Sequence, residues 1–391
     1  MGWFNGCAFA LDDEALSIQD ATRTFAREEI APLAAIIDRD GAVPPALMKK
    51  LAEMGLFGAQ VPEEYGGSGM SAVAYALVIE ELAAACASVA IIISAHNSLC
   101  VWPIATFGSA EQKQRYLPRL AAGALGCFAL SEPGTGSDAG AQTTIATPRG
   151  DQWIIQGVKN WITNGPDAEI CVLFATTDRS LGNKGVVSFV HDLSSLGVAR
   201  GHKENKLGIC GSGTCSLFYD QVALNTGNKI GDENDAPASG FKVAMETLNG
   251  GRIGVAAQAV GIARAALEAA LDYSQQRQTF GKPISQHQSI ANYLADMIVE
   301  LDAARYLTLG AAVLKDSKKD YARQAAQAKL FSSRVANQVA YKALQIHGGY
   351  GFVKDYAVER HFRDARITEI YEGTSEIQQQ VIAQRLLKEG R

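Results

Sequence analysis

The sequence predicts an α+β protein in which a β-rich middle segment separates two helical ones. Nine of the eleven prolines precede residue 170, and none occurs from Ile284 to Arg391. This C-terminal stretch therefore lacks the residue that most strongly interrupts helices. Residues 126–235 contain short β-branched or aromatic runs between turn residues, a pattern typical of strands. The predicted order is helix, β, helix.

The N-terminal segment, up to about residue 125, is predicted to be helical. Asp12 or Asp13 can cap a first helix that runs through Arg27, because aspartate oxygens accept the unpaired amides of a helix start. A second helix is predicted over residues 46–54 and ends near Gly55.

The stretch between Glu81 and Glu111 carries no charged residue. Its strongly apolar part covers only residues 82–95, which is too short to cross a bilayer. We therefore predict a buried core helix here and no membrane span.

Four apolar runs predict the strands of a small antiparallel β domain. Each is rich in β-branched or aromatic residues, and turn residues separate them. The runs cover residues 153–155, 170–174, 186–190 and 215–219.

Apolar residues recur at helical spacing in the C-terminal segment. They are Ile290, Leu294, Met297 and Leu301 in one predicted helix, and Ala328, Phe331, Val335 and Val339 in another. A last helix is predicted over residues 376–388, with Ser375 and Gln378 forming its capping box.

Composition excludes several classes of function. The formal net charge of −5 provides no basic surface for nucleic acid. The seven cysteines are scattered without a Cys-x-x-Cys pair, which favours reduced thiols in an intracellular protein. The six histidines lack ligand spacing, so we expect no metal site.

The segment IYEGTSEIQ, residues 370–378, places one carboxylate on a glycine turn just before the last helix. A surface position is the usual one for glutamate. Glu372, however, directly follows Ile370 and Tyr371, and Gly373 opens space beside it. A carboxylate kept dry in this way has a raised pKa and can act as a general base.

Two segments in the middle of the chain are rich in groups that could approach a ligand. FALSEPGTGSD, residues 128–138, has small residues that let backbone amides come close to a bound molecule, although an ordinary loop has the same composition. KNWITNG, residues 159–165, follows a predicted strand, and its tryptophan could equally pack in the sheet core. No strand–GxGxxG–helix pattern supports a Rossmann site.

Three further segments combine glycine with arginine or glutamine. LNGGRIG, residues 248–254, puts two costly glycines before an arginine in a helical stretch, where the alternative is a surface arginine. RQTFG, residues 277–281, offers an arginine suited to a pyrophosphate, or else a solvated helix end. QIHGGYGF, residues 345–352, has glycines that permit close backbone contact.

Together these segments resemble the acyl-CoA dehydrogenase family, from about residue 12 to the end. The resemblance implies an N-terminal α-helical domain over residues 1–125 and a middle antiparallel β-barrel-like domain over residues 126–235. It also implies a C-terminal four-helix bundle over residues 236–391, which would assemble the chain into a homotetramer, a dimer of dimers.

The resemblance also implies the site and the reaction. Glu372 would remove the α-proton of an acyl-CoA while the β-hydrogen passes to FAD as hydride, giving a trans-2-enoyl-CoA. Some relatives carry the base at the position of Gly251, so Glu372 has no rival here. Arg277 and Phe280 would reach the FAD of a neighbouring subunit, and an electron-transferring flavoprotein would accept the electrons.

The resemblance assigns roles to two sets of residues. The FAD-binding set is Phe128, Leu130, Ser131, Gly136, Ser137, Trp161, Ile162, Thr163, Arg277, Phe280, Gln288, Gln345, Gly348, Gly349, Thr374 and Glu376. The substrate-binding set is Ser137, Asn249, Arg252, Tyr371 and Gly373.

Local matches resemble the short-chain, butyryl-CoA branch of the family. They lie at residues 86–88, 97–99, 206–208 and 363–370. Two positions depart from the usual pattern, since Asn249 replaces an aspartate and Cys210 an arginine.

The Asn249 departure leaves a short branched-chain acyl-CoA dehydrogenase as the main alternative. An acyl-CoA oxidase and a flavin-free interaction protein are the others. We expect a cytoplasmic protein if the source is bacterial and a mitochondrial matrix protein if it is eukaryotic.

Overall fold

A computed structural model describes residues 11–231 and 240–389. The α-helices are α1 (Asp13–Phe25), α2 (Ala34–Asp40), α3 (Pro45–Glu53), α4 (Ala72–Ala85), α5 (Ala87–Ser94), α6 (Trp102–Phe107), α7 (Ala110–Ala121), α8 (Gly240–Gln276), α9 (Gln288–Asp316), α10 (Ala322–His347), α11 (Val358–Arg366) and α12 (Ser375–Glu389). The strands are β1 (Gly126–Ala129), β2 (Ile145–Arg149), β3 (Gln152–Thr163), β4 (Ile170–Thr176), β5 (Val186–Asp192), β6 (Val198–Arg200), β7 (Thr214–Asn225), β8 (Lys229–Ile230), β9 (Gln278–Thr279) and β10 (Lys282–Pro283). The predicted helix, β, helix order is confirmed.

The first helices begin and end where the sequence places their caps. The Asp12 carboxylate accepts a hydrogen bond from the Ala15 amide at 2.7 Å, and α1 continues past Phe25 as a π-helical turn over Ala26–Ile30. Helix α3 ends at Glu53, and Gly55, two residues further on, has a φ of +73°. Glycine adopts this left-handed conformation without steric cost, which explains the helix end.

Eight strands form one sheet in the order β6-β7-β3-β2-β4-β5-β8, with β1 paired to β4. Most neighbours are antiparallel, as predicted, but β4 runs parallel to both β1 and β2. The middle domain is thus mainly antiparallel, with two parallel pairings that the sequence did not predict. Parallel neighbours need a long connection, and the chain between β1 and β4 contains a loop and the whole β2–β3 hairpin.

Strand β4 separates the core of the β domain from a second core under the helices. All seven of its residues are buried. Alternate side chains belong to the two cores, which explains why this segment is a continuous apolar run. Ile170, Val172 and Phe174 pack with α7 and α8, whereas Cys171, Leu173 and Ala175 pack inside the sheet.

The N-terminal and C-terminal helices share one hydrophobic core. Residues of α1, α3 and α4 pack in the same cluster as Ile253 of α8, Leu309 of α9 and Ala325 of α10. Gly261 permits α8 to lie close to α4, since a Cβ at this position would collide with the Glu80 carbonyl oxygen. The domain limits at 125/126 and 235/236 stay predictions, and the second falls outside the described residues, as does Cys7.

The C-terminal helices pack as the periodicity predicted, with one exception. Helix α10 lies against α8, α9, α11 and α12. Met297 and Leu301 are fully buried between these helices. Phe331 was expected on the inner face but is 36% exposed.

A buried charge network ties four helices together. Arg264 of α8 donates to Glu80 at 3.0 Å and to Glu81 at 2.6 Å. Arg305 of α9 also reaches Glu80, at 2.9 Å, and Arg23 of α1 reaches Glu81, at 2.9 Å. Because buried charges are tolerated only when paired, this network fixes how α1, α4, α8 and α9 are arranged.

Two helical stretches in the described part of the chain are long and apolar enough to cross a bilayer. They are Ala87–Phe107 and Gly240–Gln276. Within the protein, 83% and 89% of their apolar windows are buried. Both therefore occupy the positions of core helices, as the sequence predicted for the first of them.

Candidate active site

Glu372 lies on a strained turn between α11 and α12. Its φ is +51°, in the left-handed region, and the next residue, Gly373, has a φ of +94°. A left-handed conformation costs a non-glycine residue about 1–3 kcal/mol, so it persists only where the surroundings impose it. We call residues 371–374 the Glu372 turn.

Several predicted site residues have a left-handed backbone conformation. Among the described non-glycine residues, those with positive φ are Trp161, Asn164, Ile209, Gln221, Phe280, Lys318 and Glu372. Trp161, Phe280 and Glu372 belong to the predicted cofactor and catalytic sets. Bulky side chains rarely adopt this conformation, and such strain concentrates at functional sites.

The predicted capping box of the last helix is wrong. Helix α12 begins at Ser375, one residue earlier than expected, so Thr374 takes the cap position. The Ile377 amide donates to Thr374 Oγ1 at 3.4 Å. Gln378 therefore lies one residue beyond the position that a capping box requires.

Gln378 and Lys329 hold the Glu372 turn instead. Gln378 Nε2 donates to the carbonyl oxygens of Glu372, at 3.1 Å, and Gly373, at 2.9 Å. Lys329 Nζ, from α10, donates to the same Gly373 carbonyl at 2.7 Å. Neither contact was predicted, because the sequence assigned Gln378 to a capping box and the Lys329 contact depends on how α10 packs against the turn.

The carboxyl group of Glu372 is buried between two cations. Burial raises its pKa to about 7, although the charges of Lys329 and Arg252 oppose this shift. Its Oε2 atom is buried and has no hydrogen-bond partner among the described residues. The group can therefore accept a proton near neutral pH from a molecule that reaches it.

Helix α8 brings the predicted substrate residues beside Glu372. Asn249 Oδ1 accepts a hydrogen bond of 2.6 Å from Arg252 Nη1, and burial lowers the pKa of Arg252 to about 10. Gly251 leaves the space that the carboxyl group occupies, since a Cβ there would collide with Glu372 Oε2 and lie 2.9 Å from Leu99. The lack of a side chain at Gly251 thus has a steric explanation.

Tyr371 anchors the other side of the turn. Its hydroxyl donates to Gln258 of α8, and Gln258 Nε2 donates to the Ala87 carbonyl at 3.1 Å. The structure therefore brings together Glu372, Asn249, Arg252, Tyr371 and Gly373.

The glycine loop, residues 131–138, lies beside the segment that carries Trp161. The Asn160 amide donates to the Ser131 carbonyl at 2.9 Å. Lys159 Nζ donates to the Leu130 carbonyl at 3.1 Å. The two segments that the sequence proposed as parts of one site are therefore adjacent.

A buried ion pair fixes the base of the glycine loop. Lys159 and Glu132 are both fully buried, and Lys159 Nζ lies 2.7 Å from Glu132 Oε1. Glu132 also accepts the amides of Thr143 and Thr144, at 2.7 and 3.0 Å. Gln142 Oε1 accepts from the same lysine at 2.5 Å. None of these residues was predicted to belong to the site, although a lysine inside a strand was a usable signal.

The surface around the glycine loop combines an exposed aromatic side chain with open space beside a glycine. The Trp161 side chain is 60% exposed, and nothing lies within 4 Å of where a Cβ would stand on Gly136. Ser131 and Thr163 are half-buried, and Ser137 is exposed. Large aromatic groups are normally buried, so this exposure indicates a ligand surface.

Three of the predicted cofactor residues face the core instead of this surface. Phe128 packs on Phe174 with ring centres 4.9 Å apart, and it is half-buried. Leu130 is 7% exposed and Ile162 is 1% exposed. Contacts between these last two and a cofactor would therefore come mainly from their backbone.

The helical segment from α5 to Val101 connects the glycine loop region with Glu372. At one side Asn164 Nδ2 donates to the Ile92 carbonyl at 3.1 Å, and the Gly126 amide donates to His96 Nδ1 at 3.0 Å. At the other side Leu99 faces Gly251, which adjoins the Glu372 carboxyl group. Both halves of the candidate site therefore rest on the same helical segment.

A second set of predicted cofactor residues forms an exposed cluster at the ends of α8 and α10. The Arg277 guanidinium lies 5.6 Å from the centre of the Tyr350 ring, and Tyr273 stacks on His347 with ring centres 4.2 Å apart. Phe280 is 96% exposed. The exposed cluster consists of Arg277, Phe280, Gln288, Gln345, Gly348 and Gly349.

The remaining predicted cofactor residues lie at the start of α12. Thr374 is half-buried at the helix cap, and Glu376 is exposed in the first turn. They extend the Glu372 turn toward the solvent side of the helix.

The fold and these segments define an acyl-CoA dehydrogenase family member. The family's N-terminal domain model matches residues 12–124, its middle domain model residues 127–222, and its C-terminal domain model residues 238–387. The chain belongs to this family and is an oxidoreductase, as the motifs predicted.

Individual relatives cover nearly the whole chain. The mitochondrial short-chain specific acyl-CoA dehydrogenase of Bos taurus is 48% identical over 372 residues, which is 95% of this chain and 89% of that protein. A chain in the structure described as the electron transferring flavoprotein of Acidaminococcus fermentans has a TM-score of 0.94 and 43% identity, and covers 97% of this chain and 99% of that one.

A relative with a bound flavin has the same fold. The glutaryl-CoA dehydrogenase from Mycobacterium smegmatis, in complex with FADH2, has a TM-score of 0.90 and 32% identity, and covers 97% of this chain and 95% of that one.

Proposed function

We propose that this protein is an FAD-dependent dehydrogenase of short-chain acyl-CoA thioesters, with Glu372 as the base. The observation that carries the proposal is the buried Glu372 carboxyl group, whose Oε2 atom has no hydrogen-bond partner among the described residues. Burial raises its pKa to about 7. A base that removes a proton from carbon works best when its pKa is near the working pH.

The chain's own residues prepare this proton transfer. The charges of Arg252 and Lys329 favour the ionised form of Glu372, while burial keeps water from competing for the carboxylate. The strained backbone, held by Gln378 and Lys329, fixes the direction of the side chain. Glu372 takes the α-proton, and we propose that its backbone amide helps to polarise the thioester carbonyl.

The glycine loop and the Trp161 segment are the proposed place for the flavin ring. The FADH2 complex of the Mycobacterium smegmatis relative and the exposed Trp161 ring support this assignment. FAD supplies the acceptor for the β-hydrogen, which leaves as hydride and gives a trans-2-enoyl-CoA. Ser137, Asn249, Arg252, Tyr371 and Gly373 would contact the acyl-CoA.

The direct test of the function is anaerobic bleaching of the purified protein by a saturated acyl-CoA. Yellow protein should lose its visible flavin absorbance when butyryl-CoA is added. Colourless protein that binds no FAD would instead favour the flavin-free interaction protein.

Chain-length preference is expected to peak at four or five carbons. The similarity to the short-chain enzyme of Bos taurus supports this expectation. Each methylene adds about 0.8 kcal/mol of binding only where a pocket has room for it, so kcat/KM should fall steeply by eight carbons. We would compare butyryl-, isobutyryl-, 2-methylbutyryl- and octanoyl-CoA under one set of conditions.

The same panel decides between the two substrate classes. A higher kcat/KM for a 2-methyl-branched ester would support the branched-chain alternative, in which Asn249 makes the site wider. A higher value for octanoyl-CoA would contradict both short-chain proposals.

The exposed cluster is proposed to bind the FAD of a neighbouring subunit in a homotetramer. Arg277→Ala should therefore release FAD more readily and weaken the oligomer, because a group that binds only the assembled form stabilises it. FAD content from the visible absorbance and mass from sedimentation would measure both effects.

Arg39→Ala is the matched control for this prediction. Arg39 is 72% exposed and pairs only locally with Asp40 in the described contacts, so its loss should change neither FAD content nor mass. A wild-type protein that is a monomer with full FAD content would contradict the assembly proposal.

Electrons are proposed to leave to an electron-transferring flavoprotein. The fold shared with the Acidaminococcus fermentans chain supports this acceptor. An acyl-CoA oxidase would instead pass electrons to oxygen, so rapid peroxide formation with butyryl-CoA would favour that alternative. The mitochondrial relative supports a mitochondrial location for a eukaryotic source, for which we propose the matrix, and the cytoplasm is proposed for a bacterial one.

A further inference from the structure

Lys329 is a buried lysine that donates to a carbonyl oxygen. It lies on α10 and is 0% exposed, and its Nζ is 2.7 Å from the Gly373 carbonyl oxygen. Gln378 Nε2 donates to the same oxygen at 2.9 Å. A neutral donor is therefore already present, and a buried ammonium group costs far more desolvation energy than an amide. Hydrogen bonding to the Gly373 carbonyl therefore does not by itself explain why a lysine occupies this position.

The charge of Lys329 supplies the missing reason. A hydrogen bond to a carbonyl leaves the positive charge of the ammonium uncancelled. Lys329 and Arg252 are the cations that act on the Glu372 carboxyl group. Arg252 has its own hydrogen-bond partner in Asn249, whereas Lys329 is bonded directly to the turn that carries Glu372.

We propose that Lys329 is a positioning residue for the base: it holds the Glu372 turn through the Gly373 carbonyl and keeps Glu372 ionised through its charge. This inference rests on the proposed function, in which Glu372 removes the α-proton. It gives one side chain both a structural and an electrostatic role, and that side chain lies 44 residues from Gly373 in the sequence.

Groups from every neighbouring element bear on this balance. Arg252 of α8, Tyr75 of α4 and the adjacent Tyr371 interact electrostatically with Glu372. Burial raises the pKa of both tyrosines, so they stay neutral near pH 7. Arg252 stays charged, with a pKa of about 10.

The surroundings of Lys329 also contain charges of both signs. Arg252 opposes its protonation, whereas Glu372, Glu369 and Glu376 favour it. Burial lowers the pKa of Lys329 to about 8, so the side chain is still largely protonated at pH 7. Substitution of Lys329 by a neutral residue therefore removes a positive charge over roughly pH 5 to 8, the range in which Glu372 titrates.

Two substitutions separate charge from hydrogen bonding. Lys329→Met and Gln378→Met each remove one donor to the Gly373 carbonyl and each introduce the same side chain, but only the first removes a charge. We would measure the rate of anaerobic flavin reduction by saturating butyryl-CoA from pH 5.5 to 8.5 in both variants and in the wild type.

Both variants should reduce flavin more slowly at every pH, because the turn is held less firmly. Only Lys329→Met should move the acid limb of the profile to higher pH, by about one pH unit, since loss of a neighbouring positive charge raises a carboxyl pKa. Lys329→Arg should keep the limb near its wild-type position. If the limbs of Lys329→Met and Gln378→Met coincide, the charge role is overturned.

Two further variants test the inference if Lys329→Met cannot be used or if the base assignment is in question. If Lys329→Met does not fold, Lys329→Gln provides the same comparison, because it keeps a donor without the charge. Glu372→Gln separates the two claims. Flavin reduction by Glu372→Gln at the wild-type rate would overturn both the base assignment and this inference. If Glu372→Gln is inactive but the acid limbs of Lys329→Met and Gln378→Met coincide, the inference alone is overturned.

Discussion

Glu372→Gln is expected to retain FAD and to reduce flavin about 1,000-fold more slowly than the wild type with butyryl-CoA. Glutamine has the shape of glutamate but cannot accept the α-proton, and loss of a general base costs about 100- to 10,000-fold in rate. The variant should fold, because the hydrogen bonds that hold the turn use the backbone carbonyls of Glu372 and Gly373. Stopped-flow bleaching under anaerobic conditions measures the rate.

Glu53→Gln is the matched control. Glu53 lies at the end of α3, its side chain is 62% exposed and it pairs with Lys49 of the same helix, so its loss should leave the rate nearly unchanged. Bleaching by Glu372→Gln at close to the wild-type rate would show that another group removes the proton.

The pH dependence of the wild type follows from the same group. Since the base must be ionised and burial raises the pKa of Glu372 to about 7, the rate should rise with pH up to about that value and then level off. A rate that is constant from pH 5.5 to 8.5 would indicate that the proton transfer does not limit flavin reduction or that Glu372 is not the base.

Lys159→Met is expected to destabilise the protein by about 3–5 kcal/mol and to weaken FAD binding. The substitution leaves the fully buried Glu132 carboxylate without its cation, and breaking one side of a buried ion pair costs this much. The Leu130 carbonyl at the start of the glycine loop also loses its donor. Denaturation midpoints by circular dichroism and FAD release by fluorescence would measure the two effects.

The double variant Lys159→Met with Glu132→Gln is the control for this prediction. It removes both charges while the glutamine oxygen can still accept the Thr143 or Thr144 amide, so much of the stability should return. Wild-type stability in Lys159→Met alone would contradict the assignment of the pair.

Low pH should remove the stability that the same ion pair contributes. The Lys159 charge and the hydrogen bonds hold the folded-state pKa of Glu132 at about 2, below its ordinary value. Its contribution to stability is therefore present above the ordinary pKa of about 4.5 and is lost as the pH falls toward 2.

Features that depend on neighbouring residues could be predicted from the sequence. Asp12 caps α1, Gly55 follows α3, and the glycine next to Glu372 marks a turn, because caps and turns are decided by a few adjacent residues. The order helix, β, helix followed from composition and periodicity for the same reason. The capping box failed by a single residue, since the exact start of α12 depends on what its first turn packs against.

The tertiary structure alone decided the surroundings that give these features their chemistry. Lys329 meets Gly373 across 44 residues, Lys159 meets Glu132 across 27, and Arg264 meets Glu81 across 183. No local pattern predicts such pairs, because each requires two elements to be packed together before the charges meet. The sequence by itself therefore determined that Glu372 stands on a glycine turn before the last helix. Only the packing of α8 and α10 around that turn decided that its carboxyl group is buried between two cations, since burial and charge depend on residues distant in the chain.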